Sequence, residues 1–243
     1  MSFDIITIFP RIFDSYFNES ILKRAQKKKL VEIKIHNLRD FVKNKHKMVD
    51  DKPYGGGAGM VLMAEPILKA VSSIKKKNHS KIIILSAKGK QFDQKLAQKL
   101  SKSDQLILIS GRYEGIDERV KTVLKADEIS IGPYVLTDGD VAIQVLLSAI
   151  VRLIPGVIKM ESLKEESHRN SLIKGEKGKG ELEYPHYTRP EVFTYKGKKY
   201  RVPKILLTGH HKKIAAWRKA HRRASSGNGR EEWRTKKRKT VEK

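Results

Sequence analysis

Apolar residues in the first two thirds of the chain follow two alternating rhythms. Runs of β-branched and aromatic residues at 3–9, 31–38, 81–86, 105–110 and 127–131 read as strands, the first ended by Pro10. Between them the apolar positions take helical spacing. Over residues 11–28 they are Ile12, Phe13, Tyr16, Phe17, Ile21 and Leu22, and similar patterns cover 64–77, 91–101 and 116–125. The most apolar helix, 141–153, is stopped by Pro155 and Gly156. This alternation predicts an α/β fold, a mostly parallel sheet with helices on both faces.

Beyond residue 157 the rhythm is lost. Residues 158–183 are rich in Lys, Glu and Gly and carry no apolar period, so they read as a flexible interdomain linker. Residues 210–223 form a basic amphipathic pattern with Ile214 and Trp217 on its apolar side, followed by a Ser/Gly break at 225–229 and a basic tail. The expected organisation is a ligand-binding catalytic domain at 1–157, the linker at 158–183, and a small helical, basic, nucleic-acid-binding region with a flexible tail at 184–243.

Charge changes the picture of what the chain meets. Its 243 residues carry a net charge of +25, and residues 195–243 alone hold 18 Lys and Arg against 3 Asp and Glu. Such a balance points to a phosphate backbone as partner. No run approaches the roughly 20 apolar residues of a membrane span. The first ten residues lack the basic start and small-residue cleavage site of a signal peptide, so a cytoplasmic protein with no membrane partner is expected. With no cysteine, disulfides, thiolate metal sites and Cys nucleophiles are excluded. The histidines show no ligand spacing such as HExxH, and no protein-held metal is expected.

Three glycine-rich stretches are candidates for chemistry. Tyr54 to Met60 reads YGGGAGM; it lacks the Lys-Ser/Thr of a phosphate loop and the spacing of a dinucleotide fingerprint. Alone it is a surface loop, but Asp50, Asp51 and Tyr54 add hydrogen-bonding and stacking groups beside it. GRYEG at 111–115 lies between a strand and a helix, where open α/β sheets bind their ligands. Read alone, Glu114 is an acid placed well for a helix dipole. SIGPYVLTDGD at 130–140 ends the next strand, and two such turns at neighbouring strand ends predict one shared pocket. Arg152 by itself is a cation at a helix C-terminus, and Glu165 and Glu166 are solvated linker charge.

Taken together the motifs resemble the bacterial tRNA (guanine-N1)-methyltransferase family. The resemblance rests on FDIITIFPRIF (3–13), VDDKPYGGGAGMVLM (49–63), GRYEGIDER (111–119), SIGPYVLTDGD (130–140), RLIPGV (152–157), YPHYTRPEVF (184–193) and VPKILLTGHHKKIAAWR (202–218), in order. It implies the SPOUT class, in which the chain forms a deep trefoil knot, and a homodimer with each active site at the subunit interface. It implies S-adenosyl-L-methionine as methyl donor and N1 of guanosine 37 in tRNA as acceptor, with Mg²⁺ helping but no dedicated protein site.

By motif match, the cofactor is held by Ile84, Leu85, Ser86, Ala87, Gly111, Tyr113, Glu114, Ile131, Gly132, Pro133, Tyr134, Val135, Leu136 and Gly139. The general base is Glu166, where the family has Asp, and Arg152 stabilises O6. The residues expected at the tRNA are His46, Asp50, Gly57, Gly59, Met60, Arg112 and Ser167. Pro133 stands at a usual Asp and Asp138 at a usual Gly, the latter a position where tolerance of left-handed backbone would matter. Two other readings are a SPOUT methyltransferase for another RNA, such as ribosomal RNA, and a non-catalytic basic RNA-binding protein. The second has no use for a cofactor pocket.

Overall fold

The computed structural model describes residues 1–159 and 181–224. The chain divides into two compact units, residues 1–159 and 160–243. In the first, β1 (Ser2–Thr7) leads through a 3-10 turn (Pro10–Phe13) into α1 (Asp14–Phe17), α2 (Ser20–Lys27) and β2 (Glu32–Asn37). The short strands β3 (Asp50–Asp51) and β4 (Val61–Leu62) pair with each other and precede α3 (Ala64–Ser73). Then come β5 (Ser80–Gln91), α4 (Gln94–Leu100), β6 (Gln105–Ile109), α5 (Glu118–Leu124), β7 (Asp127–Ser130) and α6 (Gly139–Val151).

Five of these strands form one sheet in the order β2-β1-β6-β5-β7, every pair parallel. β1 and β6 are buried along their whole length, as central strands covered on both faces must be. Side-chain alternation then sorts the core into two. Phe3, Ile5, Ile83, Leu85, Leu106 and Leu108 face α2, α4 and α6, which contribute Leu22, Ala97 and Ile143. Ile6, Ile84, Ile107 and Ile109 face the opposite layer, where α3 and α5 add Ile67, Val71 and Val120. The expected α/β architecture is thus found, with helices on both faces.

Several boundaries differ from the periodic reading. The helix expected over 11–28 is broken after Phe17, and Ser20, which opens the second piece, takes a φ of 48°. Gln26 Nε2 donates to the Phe17 carbonyl at 2.7 Å, which satisfies the end of the first piece. β5 runs past the expected Ser86 to Gln91. It pairs with β7 up to Leu85, bulges, and resumes at Lys90 opposite Ile129. The next helix starts at Gln94 because Asp93 caps it, accepting from the Leu96 N–H at 2.7 Å.

The second unit is not purely helical. β9 (Val192–Tyr195) and β10 (Lys198–Arg201) make an antiparallel hairpin, after the two-residue pair of β8 (Glu181–Leu182) with β11 (Arg223–Ala224). Helix α7 (His211–His221) lies between, with Ile214 and Trp217 its half-buried positions. Periodicity passes over the hairpin because its strands are only four residues each and three of the four residues of β10 are charged. Its turn, Lys196-Gly197, has φ of 48° and 73°, the positive pair that a tight two-residue hairpin requires.

One polar device crosses the buried sheet. Asp4 on β1 accepts from Gln105 Nε2 on β6 at 2.7 Å and bonds His36 Nε2 on β2 at 2.9 Å. Burial raises the Asp4 pKa, but hydrogen bonds from His36 and Gln105 and attraction to His36 and Lys34 outweigh it, so the carboxyl titrates below its ordinary value. A depressed folded-state pKa contributes stability above the unfolded value near pH 4, lost as the pH falls through the folded value. Asp4→Asn is therefore expected to cost about 2 kcal/mol at pH 7, with the gap from wild type closing in strong acid. Urea unfolding at pH 7 and pH 3 checks this, and a gap equal at both would contradict it.

Candidate functional site

At the carboxyl ends of β5, β6 and β7 lies a cleft of about 460 Å³. Its walls are the ends of these strands, the 111–118 turn, the 130–139 loop and the start of α6. The volume falls in the range of about 300–1,000 Å³ usual for small-ligand sites. Of the residues expected at the cofactor, 84–87, 111, 113, 114, 131, 132, 134–136 and 139 all line this cleft, whereas Pro133 points out of the lining and is exposed.

The two glycine turns are fastened directly to each other. The Gly139 N–H donates to the Gly111 carbonyl at 2.8 Å. A Cβ on Gly139 would lie 2.8 Å from the Gly111 nitrogen and 3.1 Å from Ser110 Oγ, so no larger residue fits. Tyr113 between them holds a φ of 56°, a left-handed conformation uncommon for a non-glycine residue. Ser130 Oγ donates to the Gly132 carbonyl at 2.9 Å and steadies the opposite wall.

Asp138 is not in left-handed backbone. Its φ of −165° is extended, and its Oδ1 caps α6 by accepting from the N–H groups of Asp140 and Val141 at 2.9 and 3.2 Å. The helix therefore begins at Gly139, two residues before the apolar period suggests. The signal was an Asp just ahead of an apolar run.

Asp140, next along, is fully buried. It accepts from Thr7 Oγ1 at 2.7 Å and from Arg112 Nε and Nη2 at 3.2 and 2.5 Å. Arg112 also lies 3.5 Å from the Asp138 carboxylate and over the Phe9 ring at 4.4 Å. Here Arg112, expected at the tRNA, is committed to carboxylates of its own chain. Thr7, Phe9 and Asp140 were not singled out by sequence, and only the tertiary fold brings them to Arg112.

The other expected tRNA residues divide. Gly59 and Met60 lie against Glu114 of the cleft wall: Met60 accepts from the Glu114 N–H at 3.0 Å, and a Cβ on Gly59 would collide with the Glu114 side chain. The Leu62 N–H donates to the Gly115 carbonyl at 3.0 Å, so the glycine-rich segment is laid along the 111–115 turn. Gly57 is exposed with φ of 119°, His46 is exposed, and Asp50 is half-buried in β3.

Arg152 is the C-cap of α6. It borders a small concavity of about 150 Å³ with Tyr16, Glu19 and Ser148. A helix of 13 residues separates it from Gly139 by about 20 Å. The structure therefore does not bring Arg152 to the cleft of its own chain. Glu166 and Ser167 lie outside the described residues. Among the described residues, no group of three His, Asp or Glu is arranged to hold a metal ion, and no helix is long and apolar enough to cross a membrane.

Fold and cleft define an α/β protein with a small-ligand site at the carboxyl ends of parallel strands. The chain matches over residues 1–236 the family described as tRNA (Guanine-1)-methyltransferase TrmD, and it belongs to that family of enzymes. It is 52% identical over 221 residues to a tRNA (guanine-N(1)-)-methyltransferase of Thermomicrobium roseum, covering 90% of this chain and 78% of the relative. To the protein of that name from Dictyoglomus turgidum it is 53% identical over 217 residues, 89% of this chain and 82% of the relative. For Clostridioides difficile the identity is 47% over 223 residues, 90% of this chain and 91% of the relative.

The geometry around Arg112 gives a direct test. Arg112→Met leaves Asp140 buried without its cation, and loss of roughly 3 kcal/mol of stability is expected. Arg112→Lys restores charge but not the two parallel N–H donors, and should recover only part. Urea midpoints of the two variants check this; a wild-type midpoint for Arg112→Met would place the side chain outside the fold's support.

Proposed function

We propose that this enzyme transfers a methyl group from S-adenosyl-L-methionine to N1 of guanosine 37 in tRNA, in the cytoplasm. The observation that carries the reading is the cleft at the ends of β5, β6 and β7, walled by the same two glycine turns that the family motif supplies. The residues fit such a ligand. Gly111 and Gly139 bring bare backbone to the wall, Ile131, Leu136 and Ala142 offer apolar surface, and Glu114 supplies a carboxylate for a cation. When bound, the sulfonium supplies an electrophilic methyl group without a metal.

The chain's own part is to make the acceptor nucleophilic. Guanine N1 carries a proton at neutral pH, so a carboxylate must take it. In our reading Glu166 does so, and the Arg152 guanidinium stabilises the charge that develops on O6. Ser167, His46, Asp50, Gly57, Gly59 and Met60 take positions around the tRNA, with the glycines allowing close backbone approach to the target base. The span of α6 bears on assembly: an Arg152 some 20 Å from its own cleft can serve chemistry only at another chain's cleft. This supports a homodimer with each site at the subunit interface. The SPOUT knot is proposed with it, on the strength of the family and of the order β2-β1-β6-β5-β7. The net charge of +25 suits a polyanionic partner.

The test is methyl transfer from labelled S-adenosylmethionine to tRNA carrying guanosine at 36 and 37, with mapping of the product base. Replacing guanosine 37 by adenosine should abolish it, and equal labelling of both tRNAs would refute the site assignment. Glu166→Gln should reduce turnover at least about 100-fold while cofactor binding by calorimetry is unchanged. A near-normal rate would move the base to another residue.

A further inference from the structure

The hairpin β9–β10 carries a surface that the methyl-transfer reading does not use. Its register pairs Tyr200 with Phe193 and Lys198 with Tyr195, so these four side chains share one face. All three rings are exposed: Phe193 54%, Tyr195 57% and Tyr200 42%. Phe193 and Tyr200 lie nearly parallel, 16° apart with centroids at 5.2 Å. Cations flank them, with Lys198 Nζ 5.7 Å from the centre of Tyr200 and Lys196 Nζ 5.5 Å from that of Tyr195. Apolar rings left in water are costly unless something covers them.

Charge selects the occupant. Residues 192–224 hold eleven Lys and Arg and no Asp or Glu, so a partner that covers this face must be strongly anionic. A face of open rings among cations is what unpaired nucleotides need, because bases stack on the rings while the cations meet the intervening phosphates. A paired stem offers phosphates but no free base face. The proposed reaction supplies unpaired bases, since N1 lies on the pairing edge of guanine and is reachable only where the nucleotide is not paired.

We infer that the hairpin Val192–Arg201 is a stacking platform for unpaired RNA bases, with Phe193, Tyr195 and Tyr200 as its rings and Lys196 and Lys198 as its phosphate contacts. As a site for this enzyme's substrate it rests on the tRNA reading above; as a single-stranded RNA surface it is testable independently.

The experiment uses the full chain in two forms besides wild type. Phe193→Leu with Tyr195→Leu keeps apolar bulk and removes two of the three rings, and Lys196→Gln with Lys198→Gln removes cations only. Affinities for tRNA and for a short oligouridylate are measured by fluorescence anisotropy across a salt series, with cofactor affinity and sedimentation as controls. The ring variant should bind both RNAs about 5- to 100-fold more weakly, with an unchanged salt slope and normal cofactor binding. The lysine variant should lower the slope of log K against log salt by about 1.4. Unchanged RNA affinity in the ring variant overturns the platform, even if tRNA is methylated normally. A shift in sedimenting mass with unchanged RNA affinity also overturns it, in favour of a protein interface. Loss of oligouridylate binding in the ring variant supports the platform even if tRNA proves not to be the methyl acceptor, so the two readings fail separately.

Discussion

The candidate site depends on one buried carboxylate. Asp140 sits at the first turn of α6 and reaches Thr7 at the end of β1 and Arg112 just past β6. Three segments far apart in sequence are thereby held at one point, and the glycine contact between residues 111 and 139 is made a few ångströms away. A buried charge of this kind is tolerable only with its full set of partners. That requirement explains why Arg112, which by its place in a cleft motif looks available for a ligand, is oriented inward. It also fixes α6 as the element from which both the cleft and the position of Arg152 are set.

Parallel strands and their covering helices were legible in the sequence because burial on both faces leaves continuous apolar runs, as in residues 105–110. The cleft was legible for a related reason. Glycines at 111 and 139 have no local purpose in a strand–helix alternation, and so they marked where backbone must approach backbone. What escaped is of two kinds. The Asp140–Thr7–Arg112 and Asp4–Gln105–His36 groups join positions more than a hundred residues apart, and no periodicity carries that information. The hairpin at 192–201 escaped because its strands are four residues each, and the charges of β10 offset the rings in any hydropathy average.

The two units differ in charge. Residues 1–159 contain the parallel sheet, the cleft and most of the carboxylates, whereas the described stretch from Val192 onward has no acid at all. Small-ligand recognition needs enclosure and shape, which a doubly covered sheet provides. Recognition of a large polyanion needs an extended basic surface and little enclosure.

The contact at Gly139 has a consequence for redesign. Because even one methyl group there would press on the Gly111 nitrogen, that end of the cleft cannot be reshaped by substitution without dislodging α6. The stretch from Pro133 to Thr137 is different: its side chains are exposed and only lightly tied to the fold. An engineer seeking to enlarge the cleft would find the adjustable wall there and the rigid one at residue 139.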